Sequence, residues 1–233
     1  MDDARSRRLK FVLFTMVLAL ALNGVSAAGR LGWQSATAIT ALVLVLDVLF
    51  VWRYRDAILG HWLLLGLIAG VLELAADWWL VARTGTLVYP GAEPHLWVSP
   101  AYMPFAWGTV LAQVGVVAAW LRTRLSLAAA TLVTAAVSAA YIPVYEHLAR
   151  SAAWWYYRDT PMLSFAPYYI IAGEFLVALP LAAMAPAVAR ARPGLSAGLG
   201  LLQGAWMLPA FMLAFRVLGP CAGALVQFAC GTR

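Results

Sequence analysis

Seven runs of about twenty apolar residues, each long enough to cross a bilayer as a helix, limit this chain more than any motif in it. They lie at about 11–28, 35–52, 61–82, 100–121, 126–148, 167–189 and 197–218. The connections between them are short, so little mass is left outside the membrane. The expected fold is all-α: a polytopic membrane protein, one seven-transmembrane-helix bundle forming a single domain over residues 1–233. Composition agrees, with 64% of residues hydrophobic and only 11% charged, against about a quarter charged in a soluble domain.

The net charge of +6 comes from fifteen arginines and one lysine, Lys10. In a soluble chain that balance would suggest nucleic acid. Here the basic residues sit in short loops, so the bilayer is the expected partner and nucleic acid is not. Arg5, Arg7, Arg8, Lys10, Arg53, Arg55, Arg122, Arg124, Arg190 and Arg192 fall on the N-terminal side. Arg30, Arg83, Arg150, Arg158 and Arg233 fall on the other, with Arg216 near the end of the last span. The positive-inside rule then predicts a cytoplasmic N-terminus and an external C-terminus, in an integral protein of a bacterial cytoplasmic membrane. The first span follows a basic stretch and ends in Val25-Ser26-Ala27-Ala28, which resembles a signal peptide. With numbering from Met1 and the segment present, it reads as an uncleaved helix.

Two outside loops, Arg83–Pro100 and Ala149–Ala166, are longer than the rest and rich in aromatic residues, including Trp154, Trp155, Tyr156 and Tyr157 in succession. Interfacial belts account for about half of these rings. Four in a row exceed that need, and the loops are expected to fold over the mouth of an outward-facing cavity. Cys221 and Cys230, both beyond the last span on the same side, are compatible with a disulfide or with two unpaired thiols.

Acidic residues inside the spans carry the functional signal, because each costs roughly 2.5–3.5 kcal/mol to insert and commonly faces a protein interior or cavity. Glu73 and Asp77 are four residues apart in the third span, hence on one helix face. At ~1.5 Å per residue, both lie in its outer half. Glu146 ends the fifth span, and Glu174 lies about 10 Å into the sixth. Four carboxylates from three helices are thus expected in one half of the bilayer, in a pocket between spans three, five and six. Asp47, near Arg53 and Arg55, reads as an interfacial ion pair, and Gln113 as a hydrogen bond between helices. Two carboxylates one turn apart in a low dielectric disfavour double ionisation, so one of Glu73 and Asp77 is expected to hold a proton.

An acid in an apolar chamber walled by aromatic rings, whose faces stabilise cations, can protonate a carbon–carbon double bond and hold the resulting carbocation. A substrate reaching it from lipid would be an isoprenoid. The candidate catalytic residues are Glu73, Asp77, Glu146 and Glu174. The candidate substrate-binding residues are Trp78, Trp79, Tyr89, Trp107, Tyr141, Tyr145, Trp155, Tyr168 and Tyr169.

Glu73, Thr84-Gly85, Tyr89, Val98-Ser99-Pro100 and Pro104-Phe105-Ala106-Trp107 together resemble the front motif of carotenoid-hydratase-type membrane proteins. Glu146, Trp155-Tyr156-Tyr157 and Pro167-Tyr168-Tyr169 are similar to their second motif, with Glu146 where that family usually has Asp. Asp77-Trp78 and Glu146-His147 resemble the pattern of the emopamil-binding sterol-isomerase group, which has fewer spans. Small seven-span terpene cyclases are similar in size. All three resemblances imply carbocation chemistry on an isoprenoid: cyclisation, hydration or isomerisation.

Other classes lack their signatures. The sequence has no Gly-rich phosphate loop, no Ser/His/Asp arrangement, and only His61, His95 and His147 as histidines, so no metal or other cofactor is expected. The last span has no lysine for a retinal Schiff base. The alternative is a small-molecule transporter or a lipid-binding membrane protein without chemistry. A transporter built from paired halves would show matching broken helices, and the segment 206–212 has no counterpart to Glu73 and Asp77.

Overall fold

The computed structural model describes residues 3–190 and 192–220, so Cys221, Cys230 and their pairing lie outside the described residues. Among the described residues, eight α-helices make seven membrane-length spans. They are α1 (Asp3–Gly29), α2 (Trp33–Tyr54), α3 (Ala57–Trp78), α4 (Met103–Leu121), α5 (Leu127–Ser151), α6 (Tyr168–Ala178), α7 (Leu181–Ala189) and α8 (Pro193–Leu218). Helices α6 and α7 together form the sixth span. The all-α seven-span bundle expected from the apolar runs is the fold observed.

Helix α3 is the axis of the bundle, held between α4 and α8. Apolar side chains gain little by leaving lipid for protein, so helices in a bilayer associate through close packing of small residues. A Cβ added at Gly66 would strike the backbone of Gly108, and one at Gly70 the carbonyl of Pro104. On the opposite side, a Cβ at Gly200 would come within 2.7 Å of Leu65 O, and one at Gly204 within 2.6 Å of Leu72 Cβ. Glycines four apart on α3 and on α8 therefore let both neighbours meet α3 with backbones nearly touching. Past Trp78, α3 widens into a π-helical turn, Trp79–Thr84, which ends at Gly85 with φ 65°.

The sixth span is broken at Leu179–Pro180. Pro180 has no N–H, so Leu176 O loses its usual donor. It accepts a 3.3 Å bond from Leu179 N and a 2.8 Å bond from Trp206 Nε1 of α8. Gln203 Nε2, one turn away on α8, donates to Val177 O at 2.9 Å. A break in a span persists only where protein groups replace the missing helical bonds, and α8 supplies them.

The two long loops are stitched together. Strand β1 (Leu87–Val88) pairs antiparallel with β4 (Tyr156–Tyr157), setting Leu87 opposite Tyr157. Two further short pairs fold each loop on itself: β2 (His95–Leu96) with β3 (Ser99–Pro100), and β5 (Met162–Leu163) with β6 (Ala166–Pro167). At the opposite end, Arg8 Nε bonds both oxygens of Asp56 at 2.8 and 3.0 Å, and Asp56 Oδ1 also caps α3 by accepting from Leu59 N.

Two expectations about isolated polar groups meet different outcomes. Gln113 does bond across helices, donating to Thr15 Oγ1 of α1 at 3.1 Å. Asp47 does not pair with Arg53 or Arg55. It belongs to the buried stripe of α2 with Ala36, Val43 and Phe50, whereas both arginines are exposed, and neither carboxylate oxygen has a hydrogen-bond partner.

Replacing Gly70 with Val should force α3 and α4 apart. We expect a loss of about 1–3 kcal/mol, the usual cost of overpacking, read as a lower unfolding midpoint in detergent, whereas Gly194→Ala, where a Cβ meets nothing, should leave the midpoint unchanged.

Candidate functional site

All four sequence-predicted carboxylates line one cavity of about 470 Å³, within the range of small-molecule sites. Glu73 and Asp77, one turn apart on α3, present the same face to it, as their spacing requires. Glu146 reaches it from α5 and Glu174 from α6. Among the described residues the lining contains no arginine, lysine or histidine. The acids are distributed along the wall: no three acidic or histidine side chains among the described residues sit close enough to share a metal ion.

Each acid has its own surroundings. Asp77 Oδ2 accepts a 2.6 Å bond from Tyr89 Oη in the first long loop. Burial, and then the neighbouring Asp77 and Glu73, push the Tyr89 phenol well above its ordinary pKa, so it remains a donor to Asp77 across the physiological range. Glu146 accepts from Trp155 Nε1 at 2.8 Å and from Tyr157 Oη at 3.5 Å, both in the second loop. The Tyr157 phenol is likewise pushed up, chiefly by burial and then by Glu146. Glu73 is buried, only 2% exposed, and its Oε2 has no hydrogen-bond partner. Such an atom forgoes roughly 1–3 kcal/mol unless something else meets it. Arg216 does not approach Glu174: no ion pair joins them among the described residues.

Of the candidate substrate-binding residues, Tyr89, Trp107, Tyr141, Tyr145 and Trp155 line the cavity. Four of these rings form a connected wall, while Trp107 meets Phe211 of α8 edge-on at 6.5 Å. Tyr145 lies 5.8 Å from Tyr141 and 5.7 Å from Trp155, and Trp155 lies 6.4 Å from Tyr89. Trp78, Trp79, Tyr168 and Tyr169 are not in the lining. Successive helical residues point about 100° apart, so the face that carries Asp77 inward turns both indoles away. Trp78 stacks on Trp97 at 5.5 Å, and Trp79 meets Phe215 of α8 edge-on at 5.0 Å. Tyr168, first in α6, is exposed at the surface. Tyr169 is fully buried behind the wall, bonded to Thr86 Oγ1 at 2.7 Å and packed on Tyr157 and Phe215.

The cavity is also wider than a pocket between spans three, five and six. Helices α1 and α2 contribute Leu13, Val17, Asn23, Ile39 and Val43, and α4 contributes Trp107 and Val110. Leu13, Val17, Val110 and Tyr141 line it and are 39–67% exposed, so the wall opens sideways on the apolar flank. The end beneath the long loops is different. Leu87, Tyr157, Trp154 and Trp155 close it and are all buried, as expected for loops folded over a mouth. Sequence reasoning missed Glu93. This loop carboxylate is 4% exposed, has no bond to either oxygen, and sits against Gly91 and Trp33. The signal was there: Glu93 is the sole acid in the Arg83–Pro100 loop.

The sequence model of a family described as a domain of unknown function, DUF6989, matches residues 74–218, from the C-terminal end of α3 to the end of α8. No curated protein and no solved structure matches the chain.

The Trp155–Glu146 bond joins the cap to α5. Trp155→Phe should cost about 1–3 kcal/mol by leaving a buried carboxyl oxygen without its donor. In a double-mutant cycle with Glu146→Leu, the pair should be less destabilised than the sum of the single changes, measured by unfolding midpoints in detergent.

Proposed function

We propose that this chain, which belongs to the DUF6989 family, is a membrane enzyme that protonates an alkene of an isoprenoid lipid in the half of the bilayer beneath the capping loops. The observation that carries the reading is the meeting of a buried, unbonded Glu73 oxygen with an apolar cavity walled by Tyr89, Trp107, Tyr145 and Trp155, with no basic side chain in the described lining. Glu73 or Asp77 donates the proton and the other carboxyl, with Tyr89, sets its strength. The proton adds to one alkene carbon, and the cation left on the other is faced by the rings. Glu146 or Glu174 then accepts a proton or positions a water, so that the cation ends as an isomerised alkene, a ring or an alcohol.

The sideways opening suits a substrate that arrives from lipid. The excess of basic residues on the N-terminal face supports a cytoplasmic N-terminus in a bacterial cytoplasmic membrane, with the cap outside. The competing reading, a transporter or lipid-binding protein without chemistry, shares the cavity but has no use for a buried acid in its wall with one carboxyl oxygen unbonded.

Comparing lipid extracts from membranes holding the wild type or its variants tests the proposal. In deuterated water the wild-type product should gain one deuterium at the former alkene carbon. Glu73→Gln and Asp77→Asn should each cut its formation by roughly 10²–10⁴-fold, the range for a lost general acid. Identical extracts with no deuterium uptake, while an unaltered lipid co-purifies with every form, would leave only binding.

A further inference from the structure

A second cavity, of about 250 Å³, lies at the N-terminal face between α1, α3, α4 and α7, far from the carboxylates. Its chemistry is the reverse of the first. Arg5, Arg8 and Arg122 line it, and no acidic residue does. Two indoles add hydrogen-bond donors. Trp62 is completely buried and its Nε1–H has no acceptor, and the buried Nε1–H of Trp120 has none either. Arg122 donates from Nη1 to Leu125 O at 3.2 Å, but its buried Nε is unbonded. Arg8 meets Asp56 through Nε, and that carboxylate lies outside the lining. The remaining walls are apolar, including Ile58, Val116, Ala185 and Pro186.

Apart from the Thr123 hydroxyl, which donates to Trp120 O, the polar side chains of this cavity are donors, several of them unmet, and call for a ligand with several acceptor oxygens and negative charge. Buried N–H groups left without acceptors are costly, and native structures retain few of them. The position adds a second constraint. The cavity sits at the ends of the spans, where basic pockets between helices take anionic head groups, and its apolar walls suit the first carbons of acyl chains. We propose that this pocket binds a phosphate group, carried by an anionic phospholipid or by a small soluble phosphate, through Arg5, Arg122, Trp62 and Trp120. The site is independent of the chemistry proposed for the other cavity.

The test uses the full chain purified in neutral detergent. Retention of phosphatidylglycerol and of phosphatidylcholine is followed by native mass spectrometry, and unfolding midpoints are recorded with and without inorganic phosphate. The wild type should retain phosphatidylglycerol in preference to phosphatidylcholine. Arg5→Gln with Arg122→Gln should weaken that retention by about tenfold or more, and Trp62→Phe, which keeps the ring and loses the donor, by a smaller factor. Lys10→Gln with Arg53→Gln removes the same charge from exposed positions on the same face and should have little effect. A midpoint raised by inorganic phosphate alone, and lost in the arginine pair, would identify the soluble source. Equal losses in both double variants, or no preference for either phosphate probe, would overturn the proposal.

Discussion

The near-contact of three backbones at Gly66, Gly70, Gly200 and Gly204 is the constraint on which the rest of this structure depends. In lipid, apolar side chains gain little by meeting each other, and close packing has to supply the association. The glycines let α4 and α8 approach α3 from opposite sides, fixing its rotation about its own axis. With that rotation fixed, the face bearing Glu73 and Asp77 points at the cavity, and Trp78 and Trp79 point elsewhere. The same two neighbours carry groups that depend on this registration: Trp107 of α4 in the cavity wall, and Gln203 and Trp206 of α8 at the break in the sixth span.

The polar groups inside the bundle divide by whether they are met. Leu176 O and Val177 O, exposed by Pro180, are taken up by α8. Thr15 and Gln113 bond each other across α1 and α4, and Asp77 and Glu146 each hold a phenol or indole from the capping loops. Glu73 Oε2, Glu93, Asp47 and the indoles of Trp62 and Trp120 are not met. Such groups are expensive in a low dielectric; Glu73 lines the larger cavity and Trp62 and Trp120 the smaller one, whereas Asp47 and Glu93 line neither.

Much of the fold was legible in the sequence, because the requirement for twenty apolar residues per crossing leaves few choices. Convergence of Glu73, Asp77, Glu146 and Glu174 was legible too, from depth along each span and the alternation of direction. Which helices neighbour one another was not, and so the walls formed by α1 and α2 were missed: hydropathy does not distinguish a leucine that faces only lipid from one, such as Leu13, that also borders a cavity. The positions of Trp78 and Trp79 were within reach, since the 100° step from Asp77 turns them off its face. Proximity in sequence to an acid was a poor guide to sharing its chamber. Glu93 was passed over because it lies in a loop, where a carboxylate ordinarily meets water. Here Glu93 is buried although the β2 residues that follow it, His95 and Leu96, are exposed.

Pairing of β1 with β4 has a consequence for how any occupant is measured out. With the two loops sewn into one cover and the flank of Leu13, Val17, Val110 and Tyr141 exposed, an occupant entering by that flank would be drawn from the plane of the membrane and returned to it. Occupancy of such a chamber follows the mole fraction of ligand among the surrounding lipids, not its molarity in the aqueous phase. Diluting the bilayer with inert lipid would empty the chamber, while diluting the buffer would not.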